Sequence, residues 1–203
     1  MTPVLEMRRL EEVAFCQGDL LLWRAGRWSL MNLVIGRAGR SGYVHASTVA
    51  IEHGEARCID TIQFRGGRNV CLRDQVELSK NSGRIDVYRP RADLADALTN
   101  GGLLGNVYKA SMVVEKMLDI VGKPYGWRAI FLVSLLHLPV IRLFVAPATD
   151  DADKSPYPPF CSEARAIADR FAGFDPVPNM ADRITEPGDL GRSLFYEYLF
   201  TLE

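Results

Sequence analysis

The chain has 203 residues, 48% of them hydrophobic and 24% charged, with a formal net charge of -1 and an isoelectric point near 6.3. That length and apolar content suffice for one sizeable core, so a single domain spanning residues 1–203 is expected. No basic excess exists to neutralise a phosphate backbone, which argues against nucleic acid as a partner.

Four cysteines, Cys16, Cys58, Cys71 and Cys161, lack the paired spacing of zinc ligands and read as reduced thiols. No metal and no cofactor is expected. The first residues, Met1 to Arg9, carry charge where a signal peptide needs an apolar run, so a cytoplasmic location is expected, with non-classical export as the alternative.

In chain order, Gly18 to Arg24 reads as a buried strand entered through a turn, and the spacing from Arg27 to Arg37 allows a short helix. Tyr43 to Ile51 is a second strand. Glu52-His53-Gly54-Glu55 is a hairpin turn, and Ala56 to Ile62 is the antiparallel partner, which brings His45 and Asp60 onto neighbouring strands. Arg65 to Asn69 reads as a loop and Arg84 to Arg89 as a further strand.

Beyond Leu94 the period changes. Val107, Ala110, Val114, Met117, Leu118 and Val121 mark an amphipathic helix that Gly122 would terminate. The fold class expected is therefore α+β, with an antiparallel sheet in the N-terminal half and helices in the second. The most apolar run, residues 129–146, is interrupted by His137, Pro139 and Arg142. It reads as a buried core helix kinked at Pro139, with an interfacial flap touching a membrane surface as the second reading.

A proline-rich run, Ser155-Pro156-Tyr157-Pro158-Pro159-Phe160, stops directly before Cys161, after which alanines and amphipathic spacing begin a helix. A cysteine at a helix N-terminus faces unpaired N–H groups and the positive end of the dipole, and both favour the reactive thiolate. The plainer alternative is a buried structural thiol. A nucleophilic cysteine needs a base and a group to orient that base, and His45 and Asp60 can supply both. On its strand His45 shares a face with Tyr43 and Ser47, and Asp60 shares one with Cys58 and Ile62. Glu163 reads as a capping carboxylate, Cys58 as a small core residue and Asp19 as a turn-fixing residue.

Gly18-Asp19-Leu20-Leu21, Ser41-Gly42-Tyr43-Val44-His45-Ala46-Ser47-Thr48-Val49, Gly122-Lys123-Pro124-Tyr125-Gly126-Trp127 and Phe160-Cys161-Ser162-Glu163-Ala164 together resemble the circularly permuted NlpC-type papain-like hydrolases. That branch includes YiiX-like proteins, is related to lecithin retinol acyltransferase, and places the histidine strand before the cysteine helix. The resemblance implies a papain-like fold with Cys161 as nucleophile, His45 as general base and Asp60 as third member. It also places Tyr125 near the site, with Tyr43 and Ser162 as further substrate contacts.

Two departures stand out. Gly126 occupies a position that is often aspartate in relatives, and residues 128–155 form an apolar insertion before the cysteine. The implied activity is hydrolysis of an amide, first of all in a peptidoglycan peptide, or of an ester through an acyl-enzyme. A lipid acyltransferase or lipase, or a non-catalytic module with a papain-like groove, are the alternatives.

Overall fold

The computed structural model describes residues 6–24, 41–79, 83–91, 108–126 and 158–202. The expected helix at 27–37, the approach from Leu94 to Val107, the apolar run 129–146 with His137, and the insertion 128–155 lie outside them in whole or nearly so.

Among the described residues, seven strands form one sheet: β1 (Met7–Arg8), β2 (Leu20–Arg24), β3 (Tyr43–Glu52), β4 (Glu55–Ile62), β5 (Gly66–Cys71), β6 (Ile85–Pro90) and β7 (Tyr196–Leu202). They lie in the order β1-β7-β6-β2-β3-β4-β5. All neighbours are antiparallel except β1 and β7. The helices are α1 (Leu72–Ser79), α2 (Ala110–Leu118), α3 (Cys161–Phe171) and α4 (Pro187–Arg192). The architecture is α+β, as the sequence leads one to expect.

Leu20, Leu21 and Leu22 are all fully buried, because β2 lies inside the sheet with apolar layers on both faces. On one face Leu20, Leu22, Ala46, Ala50 and Ile59 pack with Val113 and Met117 of α2 and Ala164 and Ala168 of α3. On the other, Leu21, Val49, Cys58, Ile85 and Val87 pack with Leu72 and Val76 of α1. Cys58 is thus a core residue. Asp19 receives both the Cys16 N–H at 2.8 Å and a two-nitrogen fork from Arg89 at 2.8 and 2.9 Å, which fixes the entry to β2.

The β3–β4 hairpin closes through His53 (φ 52°) and Gly54 (φ 84°), with Glu52 opposite Glu55. Two left-handed residues make the turn whose twist matches the strands it joins.

Three expectations need correction. The loop expected at Arg65 to Asn69 is largely strand: β5 pairs with β4 from Arg57↔Cys71 to Ile62↔Gly66. Its polar residues look loop-like in sequence but find partners across the ladder, Arg57 to Asn69 and Arg68 to Asp60. The sheet is not confined to the first half, since β7 inserts between β6 and β1. The amphipathic helix ends at Leu118 rather than Gly122; the chain then turns, and Gly122 carries φ 79°.

That turn leads residues 120–124 along the outer edge of β5. Gly67 N–H donates to Lys123 O at 2.8 Å and Gly122 N–H donates to Gly67 O at 2.9 Å. A Cβ on Gly67 would stand 1.9 Å from the Ile120 carbonyl oxygen, so only glycine permits the approach. Gly67→Ala is expected to cost about 1–3 kcal/mol, read as a lower urea midpoint. An unchanged midpoint would mean that this segment is not docked on β5.

Candidate active site

Cys161 begins α3 as expected from the prolines before it. Phe160 is extended (φ -86°, ψ 176°), and its carbonyl accepts the first helical bond from Ala164 N–H at 2.9 Å. Glu163, almost fully buried, accepts the Phe160 N–H at 3.3 Å, which is a capping contact. Burial pushes its carboxyl up to about 7.

The helix start meets the sheet where β3 and β4 part. Their pairing runs from Glu52↔Glu55 to Thr48↔Ile59 and ends there. Val49 exchanges its N–H and C=O with Asp19 and Gly18 on the β2 side. Alternation therefore turns the N–H groups of Thr48 and Ala46 toward β4. At Thr48 the strand partner is present; at Ala46 the N–H is taken by the Cys161 sulfur, which also receives the Ser162 N–H. The thiol thus sits at the open end of the ladder, close to the plane of the sheet.

His45 and Asp60 flank this opening. His45 Nε2 lies 2.8 Å from Asp60 Oδ2, and the Cys161 thiol hydrogen-bonds the ring, for which Nδ1 is the nitrogen left. The pair is a diagonal neighbour across the ladder, which is within side-chain reach on one face. Trp23 tilts against the His45 ring at 6.1 Å between centroids, held by its Nε1–H to Ser47 Oγ at 2.8 Å.

Asp60 is fully buried and has a second partner that sequence reasoning missed. Arg68, directly opposite on β5, forks onto it with Nε to Oδ1 at 2.7 Å and Nη2 to Oδ2 at 3.0 Å. Gln75 of α1 accepts from the same Nη2 at 2.7 Å. The arginine leaves the carboxylate no rotational freedom, so the acceptor facing His45 is fixed.

The charges follow from these contacts. Burial would raise the Cys161 thiol, but the His45 charge, the His45 hydrogen bond and the two backbone N–H groups outweigh it and hold the thiol below its ordinary value. Burial would lower His45, but the Cys161 thiolate and the Asp60 hydrogen bond dominate and raise it to about 10. Asp60 is held below the usual carboxylate range by His45 and Arg68, against the effect of burial. These contacts favour the thiolate–imidazolium form of the pair.

Beside His45 opens a cavity of about 400 Å³ lined by Trp23, Val44, Thr61, Ile62, Phe64 and Tyr125, with Arg24 at its wall. Tyr125 is buried with Cys161 and Phe160 and feels the charge of the thiolate. Gly126 is explained by its surroundings: a Cβ there would stand 2.2 Å from the Pro158 carbonyl oxygen.

Ser162 and Tyr43 are placed differently. Ser162 Oγ donates to the Thr185 carbonyl at 2.8 Å and is fully buried, leaving its backbone N–H as its contribution to the site. The Tyr43 hydroxyl donates to Asp86 at 2.5 Å and pairs with the Tyr88 hydroxyl at 2.8 Å, and the ring packs against the core on the α3 side. The structure thus gathers Cys161, His45, Asp60 and Tyr125 and directs the Tyr43 and Ser162 hydroxyls elsewhere.

No family model matches the chain, and no curated protein matches it. Among solved structures it is similar to the crystal structure of the metalloprotein YiiX from Escherichia coli O157:H7. That likeness has a TM-score of 0.57 at 13% identity and covers 90% of this chain and 95% of that one. The fold is therefore YiiX-like.

Proposed function

We propose that this protein is a cysteine-dependent acyl hydrolase of the permuted papain-like type, with Cys161 as nucleophile, His45 as proton carrier and Asp60 as the group that orients His45. The observation that carries the reading is the Cys161 thiol at a helix N-terminus, hydrogen-bonded to a histidine whose far nitrogen is 2.8 Å from a buried carboxylate. The YiiX-like fold and the histidine-before-cysteine order support it.

In the first half-reaction the thiolate sulfur attacks the carbonyl carbon of an amide or ester. The carbonyl π electrons move to oxygen, then return to expel the amine or alcohol, which takes its proton from the His45 imidazolium. Neutral His45 next removes a proton from water. The hydroxide attacks the thioester carbon, and the thiolate leaves. An amine or hydroxyl acceptor in place of water would make the same site a transferase.

A peptide amide of the peptidoglycan type is the first substrate class. The apolar walls of the cavity, Trp23, Val44, Ile62 and Phe64, favour a lipid acyl group as the second. Turnover of murein peptides against acyl lipids separates the two.

The YiiX structure is described as that of a metalloprotein. In this chain a cation at Asp60 would meet the Arg68 guanidinium, which already occupies both carboxylate oxygens. Among the described residues no three His, Cys, Asp or Glu side chains form a metal-binding group. The donor set at Cys161 does not fit a metal.

The test is the rate of Cys161 alkylation by iodoacetamide against pH, with the modified peptide identified by mass. A depressed thiol should already react at its plateau rate near neutrality. Turnover should rise as Cys161 loses its proton and fall as His45 loses its own near pH 10, because the leaving group then lacks a donor. Alkylation that climbs only through the ordinary thiol range would sink the hydrolase reading and favour a non-catalytic binding module.

A further inference from the structure

Among the described residues, Thr61 Oγ1 is the one buried side-chain nitrogen or oxygen atom with no hydrogen-bond partner. The residue is 1% exposed, yet it lines the cavity beside His45. A buried hydroxyl without a partner costs about 1–3 kcal/mol, so its placement asks for an explanation that neighbouring polar groups do not need. Ser162 Oγ is committed to Thr185, and the Gln63 side chain is hydrogen-bonded to Tyr125.

The position of Thr61 in the sheet is specific. The β3–β4 ladder ends at Thr48↔Ile59; Ala46 lies two residues beyond it on one strand and Thr61 two residues beyond it on the other. They stand at matching positions across the opening that receives Cys161, and the Ala46 N–H already contacts the sulfur. Alternation puts Thr61 on the face of Ile59, which packs with Ala164 of α3. Two of its neighbours in the cavity wall, His45 and Tyr125, are themselves adjacent to the thiol.

We propose that the Thr61 hydroxyl is a catalytic hydrogen-bond donor to the oxyanion formed when Cys161 attacks its substrate. This rests on the cysteine-hydrolase reading of the site. As the sulfur–carbon bond forms and the carbonyl π pair moves onto oxygen, that oxygen becomes a full anion beside Thr61. A hydroxyl that holds no other partner gives up no existing hydrogen bond to meet it. The partnerless state of Thr61 in the free protein is then the ground-state counterpart of a bond made in the tetrahedral intermediate.

The test uses 3-phenylpropanal, whose carbonyl adds the Cys161 thiolate and takes a proton from the His45 imidazolium to give a thiohemiacetal, an analogue of that intermediate, without any substrate having to be known. Its binding is read as protection of Cys161 from iodoacetamide. Thr61→Val, which keeps shape and removes the hydroxyl, is expected to weaken protection on the order of 100-fold while leaving the pH profile of alkylation and the thermal midpoint at or above wild type. Thr61→Ser should restore most of the protection.

Wild-type protection in Thr61→Val would overturn the role of Thr61, as would a shifted alkylation profile, which would make it a determinant of thiol ionisation instead. Absence of protection in the wild-type protein would also overturn it. The pH profile of wild-type alkylation separately decides whether the hydrolase reading stands.

Discussion

Cys161→Ala is expected to lower turnover of peptide amides and 4-nitrophenyl esters by at least about 10⁴-fold, because it removes the thiolate that forms the covalent intermediate. Cys58, a second thiol beside Asp60, is pushed up by burial and by the neighbouring Asp60 charge and is sealed in the core. The substitution should leave the fold intact, since it removes one sulfur atom from a site that stays lined by Phe160, Tyr125 and Ala181.

A second readout separates loss of the nucleophile from loss of structure. Burial alone lowers His45, and the thiolate is the foremost influence raising it. Removing the thiolate should therefore bring the His45 titration, followed by NMR of the ring, well below its wild-type value near 10. Retained turnover in the folded variant would remove Cys161 from the chemistry. An unmoved His45 titration would show that the thiol and imidazole do not form an ion pair.

The parts of this site that were legible in sequence are those fixed by local rules. Prolines before Cys161 and alanines after it define a helix start within a few residues. The His53-Gly54 turn fixes hairpin register, and register decides that His45 and Asp60 share a face rather than opposing ones. What was not legible depends on pairing between distant segments. Arg68 sits in Arg65-Gly66-Gly67-Arg68-Asn69, whose glycines and charges look like a loop. They form a strand because the glycines admit the backbone of residues 120–124, while Arg68 meets Asp60 and the Asn69 amide donates to Glu52 across the sheet. The alternating aromatics of β7, Tyr196, Tyr198 and Phe200, carry a strand signal, but nothing local says that the strand lies beside β6. The early end of the β3–β4 ladder, which makes room for Cys161, is likewise a consequence of what packs against it.

Arg165→Met is expected to have the largest effect on stability. In sequence Arg165 and Asp169 have the spacing of an ordinary surface pair on a helix, yet both are fully buried. Arg165 Nε donates to Asp169 at 2.9 Å and to the Tyr196 hydroxyl at 3.2 Å. Nη1 donates to Thr48 Oγ1 at 3.0 Å and Nη2 to the Gly18 carbonyl at 2.9 Å. Asp169 in turn accepts the Tyr108 hydroxyl at 3.0 Å and the Tyr196 hydroxyl. One guanidinium thus ties the nucleophile helix to β3, to the entry of β2 and to β7.

Methionine fills much of the same volume but leaves the Asp169 charge, the Thr48 hydroxyl and the Gly18 carbonyl short of a partner. Breaking a buried pair from one side costs about 3–5 kcal/mol, a large share of the roughly 5–15 kcal/mol that holds a domain folded. The urea midpoint should fall accordingly. Because α3 carries Cys161 at its first residue, the remaining folded protein should also show a higher thiol titration as the helix loses its anchor. Arg165→Met with Asp169→Leu removes the stranded charge, so the double variant should be less destabilised than the two single losses added together. Strict additivity, or a single-variant loss within about 0.5 kcal/mol as for exposed pairs, would mean that the pair does not anchor the helix and that the alanine face against Ile59 and Ala46 alone sets the position of the nucleophile.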